Sequence, residues 1–394
     1  MHQNQTLNIL DKLISFDTTS CHSNLAMLDY IADYLQQHGV SSQLVRDPVQ
    51  PKANLYAKIG PADGAAVMLS GHTDTVPTTG QNWHYPSHQL SIEKDHAYGR
   101  GTTDMKGFIA CVLAAVPKMQ AADLQIPIEL AFSYDEEIGC IGVRHMLAVL
   151  AEQPVKPVAC IIGEPTSMQV AGAHKGKIAV QVNVTGKECH SGMAPLGVNA
   201  VNYAARLIVW LEQLALRKAQ HGPFDHNYDI PFSTVHTGTV NGGLALNIVP
   251  KQASFVFEIR NIAAEDSQVL IDEFKAYVQS LITQMREIDA NCDIQLQVLT
   301  QYPGLSSDSR DSQAAIAFVK QLAQDQQSAN INFGTEAGLF SQQLGIPSVV
   351  CGPGSMEQGH KPDEFIELDQ LTSCDGFLSR LIEALSDKDF QLNR

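Results

Sequence analysis

The stretch Val67-Met68-Leu69-Ser70-Gly71-His72-Thr73-Asp74-Thr75-Val76-Pro77 is an apolar run that ends in a His-x-Asp pair and a proline. The run predicts a buried strand, and the pair predicts a metal ligand at its carboxyl end. Side chains two apart on an extended chain share a face, so Asp74 can orient His72 by accepting a ring N–H. A strand-end histidine with a turn-forming aspartate explains the pair equally well by itself. Ligands elsewhere in the chain decide between these interpretations.

Four later segments each place a further metal-ligand side chain after an apolar or glycine-rich stretch. They are residues 98–107 with Asp104, 127–139 with Glu136 and Glu137, 159–166 with Glu164, and 352–362 with His360. Taken alone, Asp104 could cap a helix and the acidic run could be a solvated loop. Because a side chain able to bind metal follows one such stretch after another, a shared metal site explains the segments better than separate local roles.

The predicted site contains two imidazoles and enough carboxylates for two divalent ions. If Asp104 bridges, each ion has one imidazole, two carboxylates and an open position for water. Such an open arrangement is typical of a catalytic site, whereas a structural zinc site would be closed and would favour thiolates. The pattern therefore predicts two zinc or cobalt ions, with Glu136 left free.

Hydrophobic periodicity divides the chain into two domains. Residues 1–175 and 289–394 alternate apolar strands with amphipathic helices, which predicts an α/β fold. We expect three α/β/α layers around a mainly parallel sheet, with the metal site at its edge. Residues 176–288 change to alternating strands and long helices, which predicts an inserted α+β domain with an antiparallel sheet.

Composition limits the class of protein and its partners. The chain has 394 residues, of which 44% are hydrophobic and 17% charged, as in globular proteins with a sizeable core. A net charge of -16 without a basic run argues against nucleic acid. The sequence shows neither a secretory signal pattern nor a spanning apolar run, so we expect no membrane association and a cytoplasmic location. The eight cysteines lack a C-x-x-C pair, and we expect reduced, structural thiols.

In combination, the motifs resemble the M20 family of dinuclear metallopeptidases and deacylases over nearly the whole chain. The resemblance rests on residues 71–77, 101–107, 135–137, 162–166, 173–176, 352–355 and 360–364. It implies one metal ion on His72, Asp104 and Glu164, and a second on Asp104, Glu137 and His360. It also implies that Glu136 is the general base of an amide hydrolase that releases acetate from N2-acetyl-L-ornithine in arginine biosynthesis.

The resemblance also implies roles for the inserted domain as a lid and a dimerisation module. His190 is similar to a family histidine that steadies the oxyanion in the partner subunit's active site, which implies a homodimer. Asn247 and Arg260 match family positions that contact the substrate carboxylate, and Glu336 could face a cationic side chain. The alternatives are a surface-loop histidine for His190 and ordinary strand-end or helix-start charges for Arg260 and Glu336.

Two other functions are compatible with parts of this pattern. One is hydrolysis of succinyl-diaminopimelate or of another N-acyl amino acid or peptide by the same chemistry. The other is a binding protein that keeps the fold without hydrolysis, which predicts a damaged ligand set or a missing base. Because every expected ligand and Glu136 are present, the sequence favours the enzyme.

Overall fold

The computed structural model describes residues 2–327, 329–390 and 392. The helices are α1 (His2–Ile14), α2 (Leu25–Gln37), α3 (Gly107–Ala121), α4 (Val143–Ala151), α5 (Ala200–His221), α6 (Ser267–Arg286), α7 (Arg310–Ala323), α8 (Ala337–Leu344) and α9 (Leu368–Leu385). The strands are β1 (Ser42–Arg46), β2 (Ala53–Ile59), β3 (Val67–His72), β4 (Ser91–Glu93), β5 (His96–Tyr98), β6 (Ile128–Ser133), β7 (Ala159–Ile162), β8 (Ala171–His174), β9 (Gly176–Thr185), β10 (Thr234–Gly242), β11 (Gln252–Asn261), β12 (Asp293–Tyr302), β13 (Ala329–Ile331), β14 (Ser348–Val350) and β15 (Phe365–Glu367).

The chain divides into two compact units. The larger comprises Met1–Ala173, Leu305–Asn330 and Thr335–Arg394, and the smaller comprises His174–Gly304 and Ile331–Gly334. The predicted start of the insert at 176 lies close to this division, whereas the predicted end at 288 precedes β12. Because β12 pairs along its length with β9, it belongs to the smaller unit's sheet. That pairing is long-range, so local periodicity could not place the second boundary.

The larger unit is built on a mixed sheet with the strand order β1-β2-β6-β3-β7-β14-β8-β13. Its central strands β6, β3, β7 and β14 are parallel neighbours, and β1 and β2 add an antiparallel edge. Residues of β3, β6 and β7 are buried throughout, as expected when helices cover both faces. Helix α3 contacts β3 of this sheet and packs against α1 and α9, whereas α4 contacts β1 and β2 and α8 contacts β7 and β14. The predicted α/β class is confirmed.

Strand direction brings the predicted ligands to one edge of this sheet. Because β3, β6 and β7 are parallel, their carboxyl ends lie side by side. His72 ends β3, the acidic run 135–137 follows β6, and Glu164 follows β7. The loop that follows β14 leads to His360. Ligands in parallel open sheets commonly bind at this edge.

The smaller unit has a separate antiparallel sheet with the order β10-β11-β9-β12. Every second residue of β11 is buried, which is the pattern of a strand with one covered face. Helices α5 and α6 contact this sheet, and Phe255, Phe257 and Phe274 lie in the core between them. The predicted antiparallel sheet is confirmed.

Two expectations for the chain concern the state of its cysteines and the presence of membrane-spanning segments. Across the described ranges, the eight cysteines are free thiols, and most of them are buried. Buried free cysteine behaves as a small apolar side chain. Among the helices described, none has the length and apolar character needed to cross a membrane.

Candidate metal centre

The larger unit brings the five predicted metal ligands into one cluster. His72 Nε2 lies 3.0 Å from Asp104 Oδ1 and 3.7 Å from Glu164 Oε1. His360 Nε2 lies 3.1 Å from Asp104 Oδ2 and 3.0 Å from Glu137 Oε2. Asp104 therefore directs one carboxylate oxygen toward each imidazole, which is the geometry expected of a bridging ligand.

A turn before α3 positions Asp104. Gly101 has a φ of 87°, a conformation that glycine adopts without steric cost, and residues 102–106 turn tightly before the helix begins at Gly107. The residue that precedes the helix is Lys106, and it makes no side-chain capping bond. The alternative interpretation of Asp104 as a helix cap is therefore wrong, and its carboxylate is available to the two imidazoles.

Glu364 holds the backbone of this turn from the other side. Its Oε1 accepts hydrogen bonds from the N–H groups of Thr103 at 3.0 Å and Asp104 at 3.1 Å. Its Oε2 accepts from Arg100 Nη1 at 2.6 Å, and both charged side chains are buried. A buried ion pair is more stable when further hydrogen bonds satisfy its atoms, as the two N–H groups do for the Glu364 carboxylate. Arg100 and Glu364 each lie in a sequence motif, but their contact joins residues far apart in the chain and could not be predicted.

Asp74 fixes the turn that carries the two glutamates. His72 Nδ1 lies 3.0 Å from the backbone oxygen of Asp74 and 3.6 Å from its Oδ1, so the closer contact is the carbonyl and not the predicted carboxylate. The carboxylate instead accepts hydrogen bonds from Ser20 Oγ at 2.7 Å and from the N–H groups of Glu136 and Glu137 at 3.1 and 3.3 Å. Asp74 thus links the end of β3 to the acidic run after β6.

A buried lysine pairs with the first residue of that acidic run. Lys52 Nζ lies 2.6 and 2.7 Å from the two carboxylate oxygens of Asp135, and it also donates to the carbonyl of Ser20. Both charged side chains are almost fully buried. Asp135 is therefore paired with a cation from the protein itself, whereas Glu137 contacts the imidazole of His360. Lys52 could not be predicted as part of the site, because its partner Asp135 lies far away along the chain.

The charges of the cluster fit a metal site. Burial raises the pKa of Glu136 to about 8 and that of Glu137 to about 7, and it raises the pKa of Glu164 well above its usual range. Burial would also raise the pKa of Asp104, but hydrogen bonds from the two imidazoles lower it. Crowded carboxylates away from water are stabilised by cations, and imidazole and carboxylate are the donors that zinc-like ions take in catalytic sites. These residues therefore fit divalent ions.

By distance alone, Glu136 is also close enough to the predicted ligands to bind the same metal ion. Two groups place their ligand atoms within 4.8 Å of one another, namely His72, Glu136 and Glu164, and His72, Asp104 and Glu137. Glu137 is almost enclosed, which contradicts a solvated acidic loop, whereas the His360 side chain is 50% exposed. The cluster is therefore accessible from the side of His360.

Glu336 lies beneath the strand ends and not at the surface. It is 1% exposed, and its carboxylate accepts hydrogen bonds from Ser133 of β6 and, at 3.5 Å, from Ser70 of β3. Burial raises its pKa to about 7. From the sequence, this carboxylate was a candidate to face a cationic substrate group. The structure encloses it between hydroxyl groups of two central strands.

The smaller unit carries the other predicted residues. His190 is exposed, and the N–H of the next residue, Ser191, donates to the backbone oxygen of Asn247 at 3.0 Å, so these two loops adjoin. Arg260 is half-buried, and its Nε donates to Glu258 at 2.8 Å. These contacts describe the smaller unit by itself, and the roles predicted for its residues stay predictions.

Comparison with known proteins identifies relatives of this chain. The family described as Peptidase family M20/M25/M40 matches residues 68–384. A Vibrio atlanticus protein named acetylornithine deacetylase is 32% identical over 376 residues, which cover 94% of each chain. An M20 family metallo-carboxypeptidase from Sulfolobus solfataricus has a similar fold, with a TM-score of 0.77, 18% identity and coverage of 97% and 99% of the two chains. A Bacillus subtilis dinuclear metal binding peptidase of the M20 family gives a TM-score of 0.64 at 15% identity, with 97% of each chain covered.

The family match and the Vibrio relative extend over most of the chain, and the two solved structures support the fold. The resemblance drawn from the sequence motifs is confirmed. The non-hydrolytic binding protein is not favoured, because the relatives are named as a deacetylase and peptidases and the ligand cluster is intact. The chain therefore belongs to peptidase family M20/M25/M40 and is a hydrolase of that family.

Proposed function

We propose that this chain hydrolyses N2-acetyl-L-ornithine to L-ornithine and acetate as a step of arginine biosynthesis. The observation that carries the proposal is the contact of His72 and His360 with opposite oxygens of Asp104, beside the half-buried Glu136. The name of the Vibrio relative supports the choice of substrate. Free cysteines are stable in a reducing compartment, which supports a cytoplasmic reaction.

Two divalent ions, zinc or cobalt, would be held by this cluster. His72, Asp104 and Glu164 would bind one ion, and Asp104, Glu137 and His360 the other. When bound, the ions supply Lewis-acid chemistry that makes water acidic and polarises an amide carbonyl. The close contacts of both imidazoles with Asp104 support this division of ligands.

Glu136 is the proton carrier of the proposed reaction. Within the described residues, no imidazole lies within ion-pair distance of its carboxylate, whereas Glu137 and Glu164 each have one. Glu136 would take a proton from the attacking water, whose oxygen bonds to the acetyl carbon. When the C–N bond breaks, Glu136 returns the proton to the amine nitrogen. The products are acetate and the free amine.

The smaller unit is proposed to form a homodimer, with His190 donating to the oxyanion in trans. Strand β10 is at one end of its sheet order, and unpaired edge strands readily pair with another chain. Leu244 is 92% exposed just beyond this strand, and Leu246 and Val240 are also well exposed. Apolar side chains clustered at a surface are typical of an interaction site. These features support a second copy of this chain as the partner.

Arg260 and Asn247 are proposed to bind the substrate carboxylate. A guanidinium group presents paired N–H donors that match a carboxylate, and an amide adds a further donor. In the structure Arg260 donates to Glu258, which restrains its side chain. We propose a supporting role for Glu336 under the strand ends in place of a contact with substrate, because it is enclosed.

A panel of substrates tests the proposed reaction. kcat/KM should be measured for N2-acetyl-L-ornithine, N-acetyl-L-methionine, N-succinyl-L,L-diaminopimelate and a dipeptide with a free amino group. We expect acetylornithine to exceed the others by about 10-fold or more, because the correct side chain contributes binding in the transition state. Turnover of succinyl-diaminopimelate or of the dipeptide without turnover of acetylornithine would overturn the assignment and leave the family chemistry intact.

A further inference from the structure

The side chain of Cys140 contacts Glu136, the proposed general base. The thiol lies four residues after Glu136, is fully buried, and has its Sγ 3.3 Å from Glu136 Oε1. The N–H groups of Gly139 and Cys140 both donate to the backbone oxygen of Glu136 at 2.8 Å. The backbone and the side chain of this turn therefore contact the same residue.

This thiol is the one hydrogen-bond partner of the Glu136 carboxylate in the part of the chain that the structure describes. A glutamate side chain has several rotatable bonds, so a single contact can decide which rotamer it occupies. Burial raises the pKa of the Cys140 thiol well above its usual range, and nearby carboxylates add to this effect. The sulfur therefore keeps the proton that it donates.

The backbone at this position gives a second, independent observation. Cys140 has a φ of 53°, a region that residues with a Cβ atom rarely adopt and that glycine adopts freely. A glycine would serve if the position only had to complete a turn. The inference from a strained backbone next to a reacting group is that the side chain at this position has a role.

We propose that Cys140 is a positioning residue whose S–H group holds the Glu136 carboxylate in the rotamer that faces the metal ligands. The inference rests on the proposed role of Glu136 as general base. An S–H group is a weak donor, so it orients the carboxylate without competing strongly for the lone pair that must accept a proton. The cysteines were expected to be purely structural, and this one is assigned a function.

Two substitutions separate the hydrogen bond from the packing. Cys140→Ala removes the donor, and Cys140→Ser keeps a donor on the same Cβ atom. Both variants carry the same backbone cost at a φ of 53°, because both have a Cβ atom. Cys374→Ala removes a buried thiol from α9 and serves as the control for truncation.

Steady-state kinetics and crystallography provide the two measurements. We expect Cys140→Ala to lower kcat by about 10-fold with KM within about 2-fold of wild type, because a misplaced base affects the transition state and not substrate binding. Cys140→Ser should recover to within about 3-fold, and Cys374→Ala should keep the wild-type kcat. Crystals of metal-loaded protein should show one Glu136 rotamer in wild type and Cys140→Ser, and a changed or divided one in Cys140→Ala.

The design keeps this inference separate from the choice of substrate. Kinetics are measured on whichever N-acyl amino acid or peptide wild type hydrolyses best, so failure of acetylornithine as substrate overturns only the proposed function. The crystal structures require no turnover at all. A wild-type kcat or an unchanged Glu136 rotamer in Cys140→Ala overturns the positioning role, and so do equal losses in the Ala and Ser variants.

Discussion

Glu136→Gln should lower kcat by at least about 10³-fold while the protein binds as much metal as wild type. Glutamine preserves the size of the side chain and its hydrogen bond with the Cys140 thiol, but its amide cannot take a proton from water. Glu136 lies near His72 and Glu164. Among the described residues, however, it forms no ion pair with the imidazole of His72 or of His360. The loss should therefore fall on proton transfer and not on metal binding.

Metal analysis beside steady-state kinetics tests this prediction. Glu152→Gln is a suitable control, because Glu152 is exposed at the end of α4 and should tolerate the same change without loss of kcat. Near-normal kcat in Glu136→Gln would remove Glu136 from the mechanism. A metal content lowered in proportion to activity would instead make it a ligand.

His190→Ala should lower kcat by about 10²- to 10³-fold, which is the usual cost of losing an oxyanion donor. If His190 acts in the partner's site, mixing this variant with Glu136→Gln should restore activity. Each mixed dimer then contains one site with both groups intact, and random exchange makes half of the dimers mixed. The expected activity is about a quarter of wild type.

The mixing experiment requires subunit exchange, which light scattering and labelled subunits can follow. His226→Ala is the matched control, because His226 is also an exposed histidine of the smaller unit. His226→Ala should have the wild-type kcat. When it is mixed with Glu136→Gln, the activity should equal that of wild type mixed with Glu136→Gln. Complete exchange without any recovery would show that His190 does not act in trans.

The sequence predicted most of the metal cluster because each ligand follows a locally recognisable signal. An apolar run predicts a buried strand, and parallel strands bring their carboxyl ends to one edge. His72, Glu137 and Glu164 could therefore be grouped without coordinates, although they are far apart in the chain. The structure places them together as expected.

The supporting contacts could not be predicted, because they depend on distances that no local pattern encodes. Lys52 pairs with Asp135, and Glu364 holds the backbone of Asp104, across long separations in sequence. The carboxylate of Asp74 lies 3.6 Å from His72 Nδ1, near the residue it was expected to orient, but its hydrogen bonds with the N–H groups of Glu136 and Glu137 could not be read from the sequence. The same limitation applies to the end of the insert, because the pairing of β12 with β9 joins segments far apart in the sequence.

Acetate release by metal-free protein tests whether hydrolysis requires ions bound by this cluster. Protein treated with chelator and then dialysed should release almost no acetate from N2-acetyl-L-ornithine. Stepwise addition of zinc or cobalt should restore the rate as the bound metal approaches about two ions per chain, because the cluster supplies ligands for both. Chelator-treated protein that releases acetate at the full rate while metal analysis finds no bound ion would contradict a metal-dependent reaction at this cluster.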